Sequence, residues 1–123
     1  MKILLFSLAL SGLFYTVSPP EAPVIWQVPT THDFGDLERG VPKTTVFTFR
    51  NTGSDSLYID NVRPECGCTS PEWEDVRVPP DSLGHIMIEY DADDKGYFNK
   101  SIKVYFNGYR KAEWLWIEGW VEE

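Results

Sequence analysis

The sequence predicts an all-β domain, a sandwich of about seven short antiparallel strands. Three observations predict it. Apolar and polar residues alternate with period two along most stretches after residue 22. Clusters of Gly, Pro, Asn and Asp cut those stretches at short intervals, as turns between strands do. No window carries a convincing amphipathic helical repeat. Bulk properties agree: 123 residues leave room for one domain, and 42% hydrophobic content suffices to bury a core. A formal charge of −8 argues against a nucleic-acid phosphate backbone as partner. Two cysteines cannot build a disulfide-dense scaffold.

The chain opens with Met1-Lys2, an apolar run over residues 3–17, and Ser18-Pro19-Pro20. One positive charge before a short apolar block is the layout of a secretory signal peptide. At 15 residues the block is shorter than the roughly 20 that span a bilayer as a helix. Residues 1–22 are therefore read as signal peptide and short linker, and residues 23–123 as the sandwich domain. Cleavage near Gly12, near Ala22, or not at all stays open, because Pro19 after Ser18 is a poor cleavage neighbour. No cysteine lies near enough for lipid attachment. Loss of Lys2 would leave the mature chain near −9.

The strands follow in order. Residues 24–28 form a short apolar stretch ended by Pro29, and His32-Asp33-Phe34-Gly35 another extended piece. Over residues 44–50, Thr45, Phe47 and Phe49 share one side. Residues 51–56 are a turn cluster, and residues 57–62 a strand with Leu57 and Ile59 inward. After an irregular section with Pro and Cys, Ile86, Ile88 and Tyr90 alternate with His85, Met87 and Glu89. Ile102, Val104 and Phe106 define one face of the next strand, and Leu115, Ile117 and Val121 one face of the last. About 100 residues in this pattern is the size of an immunoglobulin-like domain. A four-residue loop at 108–111 would set Val104 opposite Leu115, Tyr105 opposite Trp114 and Lys103 opposite Trp116, with chemically sensible faces.

His32-Asp33-Phe34-Gly35, Phe47-Thr48-Phe49-Arg50-Asn51-Thr52-Gly53, Asn61-Val62-Arg63, Cys66-Gly67-Cys68-Thr69 and a late Gly119-Trp120-Val121 occur in this order. This combination resembles the bacterial domain-of-unknown-function family 1573, over roughly residues 32–121. The resemblance implies an exported immunoglobulin-like sandwich related to cilia- and sperm-protein-type domains and, more distantly, to pilus chaperones. It implies no activity. One departure is Pro79-Pro80-Asp81-Ser82, where the family typically has a Pro-Gly turn.

Two features carry candidate chemistry. Cys66 and Cys68 point the same way in an extended backbone, with Gly67 allowing a bend. They could be a structural disulfide or thiols, a redox pair, or part of a soft-metal site. Only His32 and His85, both distant in sequence, could add nitrogen ligands. The second feature is the last strand, where Trp114, Trp116 and Trp120 alternate with Leu115, Ile117 and Val121. Only one face can meet the core. With the aliphatics inside, the tryptophans stand outside beside Tyr105 and Lys103, as a contact site would. Alternatively residues 24–28, with Trp26, fold over that face and cover it.

Catalytic motifs are lacking: there is no Gly-x-Ser-x-Gly, His-Glu-x-x-His or phosphate-cradling Gly loop. Asp91, Asp93 and Asp94 lack calcium-loop spacing. The expectation is a non-catalytic exported binding or scaffolding module in the periplasm or at the cell surface. No catalytic residue, cofactor, resident metal, nucleic acid or small-molecule substrate is expected. The contact residues are Trp114, Trp116, Trp120, Tyr105 and Lys103, possibly with an exposed strand edge, and the partner is another envelope protein. The alternative is a redox-active or metal-handling protein centred on Cys66 and Cys68.

Overall fold

Strong period-two segments become strands, and so does one segment without the pattern. The computed structural model describes residues 20–123 together with Gly12. The leader reading therefore falls almost wholly outside the described residues. Eight strands follow in order: β1 Val24–Trp26, β2 Thr31–Leu37, β3 Lys43–Asn51, β4 Ile59–Pro64, β5 Thr69–Trp73, β6 Leu83–Tyr90, β7 Gly96–Phe106 and β8 Glu113–Val121. They make two four-stranded sheets, ordered β1-β3-β6-β5 and β2-β8-β7-β4. The described residues contain no helix. The strand absent from the sequence reading is β5, inside the section taken as irregular; Thr69 to Trp73 pair antiparallel with Tyr90 to Ile86. The expected antiparallel pairing also has one exception, since β2 runs parallel to β8.

The alternation decides which side of each strand is buried. Phe47 and Phe49 of β3, Ile86, Ile88 and Tyr90 of β6, Ile102, Val104 and Phe106 of β7, and Leu115, Ile117 and Val121 of β8 are all 2% exposed or less. Each such side chain contributes roughly 1.5–3 kcal/mol on leaving water. Phe49 and Phe106 meet edge to face between the sheets, centroids 5.0 Å apart. Tyr90 and Phe98 stack with centroids 3.9 Å apart.

Motif residues shape the turns and bends. The side chain of Asn51 is fully buried. Its amide donates to the carbonyls of Asp55 and Val78, at 2.8 and 2.9 Å, while its oxygen accepts from Gly53 N–H at 2.9 Å. In β2 the ladder to β8 is interrupted between Asp33 and Asp36; Gly35 takes φ +70° there and donates its N–H to the Asp33 carboxylate. In β4 a bulge between Ile59 and Asn61 shifts the parity, so Ile59 and Val62 are both buried. Leu57 lies outside β4, bridged to Val78, but is buried as expected.

The last hairpin keeps its expected faces but not its register. Lys103 opposes Trp114, Ser101 opposes Trp116 and Ile102 opposes Leu115, while the ladder ends at Val104 and Glu113. The slip is two residues, because the stretch between the last paired residues, Val104 and Glu113, extends the expected loop by three residues on the β7 side and by one on the β8 side. A two-residue slip preserves the side of every side chain, so the alternation could not reveal it.

Candidate functional site

Sheet β2-β8-β7-β4 turns the tryptophan side of β8 away from the core. Leu115, Ile117 and Val121 are buried, whereas Trp114 and Trp120 are 46% and 52% exposed and Trp116 is half-buried. The covering alternative fails: Trp26 lies in the other sheet, edge to face with Phe47 and Phe49. It is drawn there because β1 pairs antiparallel with β3 along Val24 to Trp26.

The five predicted contact residues divide. Trp114 and Trp116 stack with centroids 5.9 Å apart and planes 19° from parallel. Lys103 Nζ lies 4.7 Å from the Trp114 ring centre, so the cation meets Trp114 and not Trp116, as the corrected register requires. Tyr105 faces Asn61 across β4, not Trp114, and receives Arg63, whose guanidinium carbon lies 5.6 Å from its ring centre. Trp120 stands apart, opposite Tyr97 and four residues beyond Trp116, roughly 13 Å along the strand. Between them Glu118 faces Asn99, and Glu118 accepts a hydrogen bond from Tyr97. Arg63 is the residue the sequence reading missed. Alternation from Leu57 and Ile59 would have turned it inward; the bulge between Ile59 and Asn61 turns it outward, and the β4–β7 register sets it opposite Lys103.

Charge around the face is uneven. Partial burial, with Glu21 adding to it, raises the Glu113 carboxyl above the usual carboxylate range, while Lys111 opposes the shift. Glu21 and Lys111 form an ion pair beside it, whose hydrogen bond lowers the Glu21 carboxyl and raises the Lys111 ammonium. Glu65 turns its carboxylate to the N–H of Ser101.

Cys66 and Cys68 are disulfide-bonded in the link from β4 to β5, with Cα atoms 5.2 Å apart. The Thr69 hydroxyl lies 3.8 and 3.7 Å from the two sulfurs. Neither histidine is recorded with them: His85 Nδ1 is 2.9 Å from the Thr48 hydroxyl, and His32 packs edge to face on Phe34. Among the described residues no group of three or more His, Cys, Asp or Glu could hold a metal ion. A groove of about 340 Å³ runs from the outer side of the other sheet, at Val46, Leu83 and Met87, to its inner residues Phe49 and Gly84 and to Ile59 of β4. Strand edges are poorly suited to pairing: β1 is three residues long, β5 carries Pro71, β4 ends at Pro64 and β2 is bulged.

Residues 26–121 match the model of a family described as protein of unknown function (DUF1573). The chain belongs to that family. No curated protein matches this DUF1573 domain. Among solved structures, the ASH / PapD-like domain 7 of human CEP192 superposes with a TM-score of 0.68 at 11% identity, covering 89% of this chain and 92% of that one. A protein of unknown function from Porphyromonas gingivalis W83 gives a TM-score of 0.66 at 15% identity, over 88% of this chain and 51% of that one. The secreted serine protease VesC from Vibrio cholerae gives 0.61 at 11% identity, over 82% of this chain. The DUF1573 domain spans about half of the Porphyromonas protein and 23% of the protease. At these identities the likeness concerns the fold alone, a PapD-like, immunoglobulin-like sandwich.

Proposed function

We propose that this DUF1573 domain is a non-catalytic binding or scaffolding module, exported to the periplasm or cell surface, whose contact surface is the outer face of β7 and β8. The observation that carries the reading is the Trp114–Trp116 stack. Two large aromatic side chains lie side by side on a sheet whose opposite face is locked into the core. Exposed indoles on a rigid support are the side chains that dominate binding hot spots. The partner is another envelope protein, and the leader-like N-terminus is the ground for that address. Trp120 serves a separate, smaller contact. The domain works without a cofactor and takes neither nucleic acid nor a small-molecule substrate.

The test is recovery of partners from the native envelope with the tagged mature chain and with a Trp114→Ala/Trp116→Ala variant. The variant is expected to keep its β-sheet circular-dichroism spectrum and lose most of a specific partner. Equal recovery by both proteins would sink the proposal.

A further inference from the structure

Arg63 and Lys103 are directly opposite each other in the β4–β7 ladder. Like charges facing each other across strands destabilise a sheet. Neither cation is in an ion pair: among the described residues the side-chain ion pairs are Arg50–Asp81, Lys95–Glu123 and Lys111–Glu21. One carboxylate oxygen of Glu65, two residues beyond Arg63, accepts from the Ser101 N–H. Each cation instead lies over an aromatic ring, Lys103 on Trp114 and Arg63 on Tyr105. In a chain of net charge −8, the β4–β7 ladder sets these two cations directly opposite each other.

We infer that the Arg63–Lys103 doublet receives a carboxylate from an acidic, extended polypeptide segment of the partner, whose apolar neighbours lie on Trp114 and Trp116. This inference rests on the contact surface proposed above and names its chemistry. An incoming carboxylate is offered a guanidinium that can bind it bidentately and the ammonium of the residue opposite it in the ladder. Contact with the rings restrains those donors, which lowers the side-chain freedom lost on binding. The anionic remainder of the domain disfavours a long polyanion. A segment with one or two carboxylates set among apolar side chains fits both the doublet and the indoles.

The probe is an N-acetylated, C-amidated tetrapeptide, Leu-Glu-Glu-Leu, titrated into the mature chain and followed by tryptophan fluorescence and backbone NMR shifts at low salt. Saturable binding with shifts on β4, β7 and β8 is expected, weakening at least tenfold for Leu-Gln-Gln-Leu. It should weaken at least tenfold for the Arg63→Gln/Lys103→Gln variant and remain unchanged for Lys95→Gln. Raising the salt should weaken it further. Equal affinity for the two peptides, or indifference to the double variant while its melting temperature is kept, overturns the inference. So does saturable binding of inorganic phosphate at these residues with no peptide binding. Envelope-partner recovery with the same variant separates the two levels. Loss on Trp114→Ala/Trp116→Ala but not on Arg63→Gln/Lys103→Gln leaves the contact face standing and removes the acidic partner. Indifference to both variants removes both.

Discussion

Gly84 lies beneath the ring of Phe49, its direct cross-strand partner, so closely that a methyl group there would stand 2.2 Å from Phe49 Cζ. The second sheet repeats the arrangement: Gly119 opposes Phe98, and a Cβ at 119 would meet that ring at 2.9 Å and the Gly35 carbonyl oxygen at 2.8 Å. Each sheet thus leaves out one side chain where an aromatic ring must lie flat. Gly84→Ala is expected to destabilise the domain by about 1–3 kcal/mol, the usual cost of overpacking. Urea denaturation checks this, and the cost should shrink in a Phe49→Leu background, where the clashing atoms are gone.

The disulfide between Cys66 and Cys68 closes a very short loop, with a sequence separation of 2. Loop-closure entropy for a three-residue loop contributes at most about 1.6 kcal/mol. Cys66→Ala/Cys68→Ala should therefore lower stability by no more than about that amount, measured by denaturation with and without reductant. A much larger loss would mean that the pair organises the β4–β5 link in ways its loop length does not account for.

Glu113 should make stability depend on pH. Its folded carboxyl sits above the ordinary value of 4.5, first through burial and then through Glu21. The folded state thus holds this proton more tightly than the unfolded chain. Its contribution to stability falls as pH rises through the window above 4.5. Glu113→Gln is expected to be more stable than the parent at neutral pH, with the difference vanishing as pH drops below that window. Melting temperatures from pH 4 to 8 would show it, and a gain unchanged by pH would contradict it.

Asp81 holds a left-handed backbone shape that glycine adopts most readily. Its φ is 62°, and Ser82 N–H closes the turn onto the Pro79 carbonyl at 3.1 Å. Aspartate tolerates this left-handed region better than most residues, and its carboxylate reaches Arg50 at 3.2 Å. Asp81→Gly should fold with little change in stability, since an exposed ion pair is worth at most about 1 kcal/mol. Asp81→Val should cost about 1–2 kcal/mol. Thermal melts of the two variants give the comparison.

Alternation along single strands was legible without any fold. It separated Leu115, Ile117 and Val121 from Trp114, Trp116 and Trp120, because successive side chains in a strand point to opposite faces wherever the strand sits. The motif Asn51-Thr52-Gly53 was equally legible as a turn, although the buried amide that clamps it was not. What escaped the sequence was contact between distant segments. Strand β5 carries Ser70, Pro71 and Glu72, with no apolar repeat, and exists because β6 offers an edge to pair with. Both sides of β8 are apolar, so its pattern could not say which side meets the core; that depended on the packing of the second sheet and on β1 pairing with β3. The meeting of Arg63 with Lys103, and of Lys103 with Trp114, was set by the bulge in β4 and by how unevenly the β7–β8 connection draws on its two strands. Those features shift register between strands while leaving each strand's own periodicity intact, so only the folded structure could decide them.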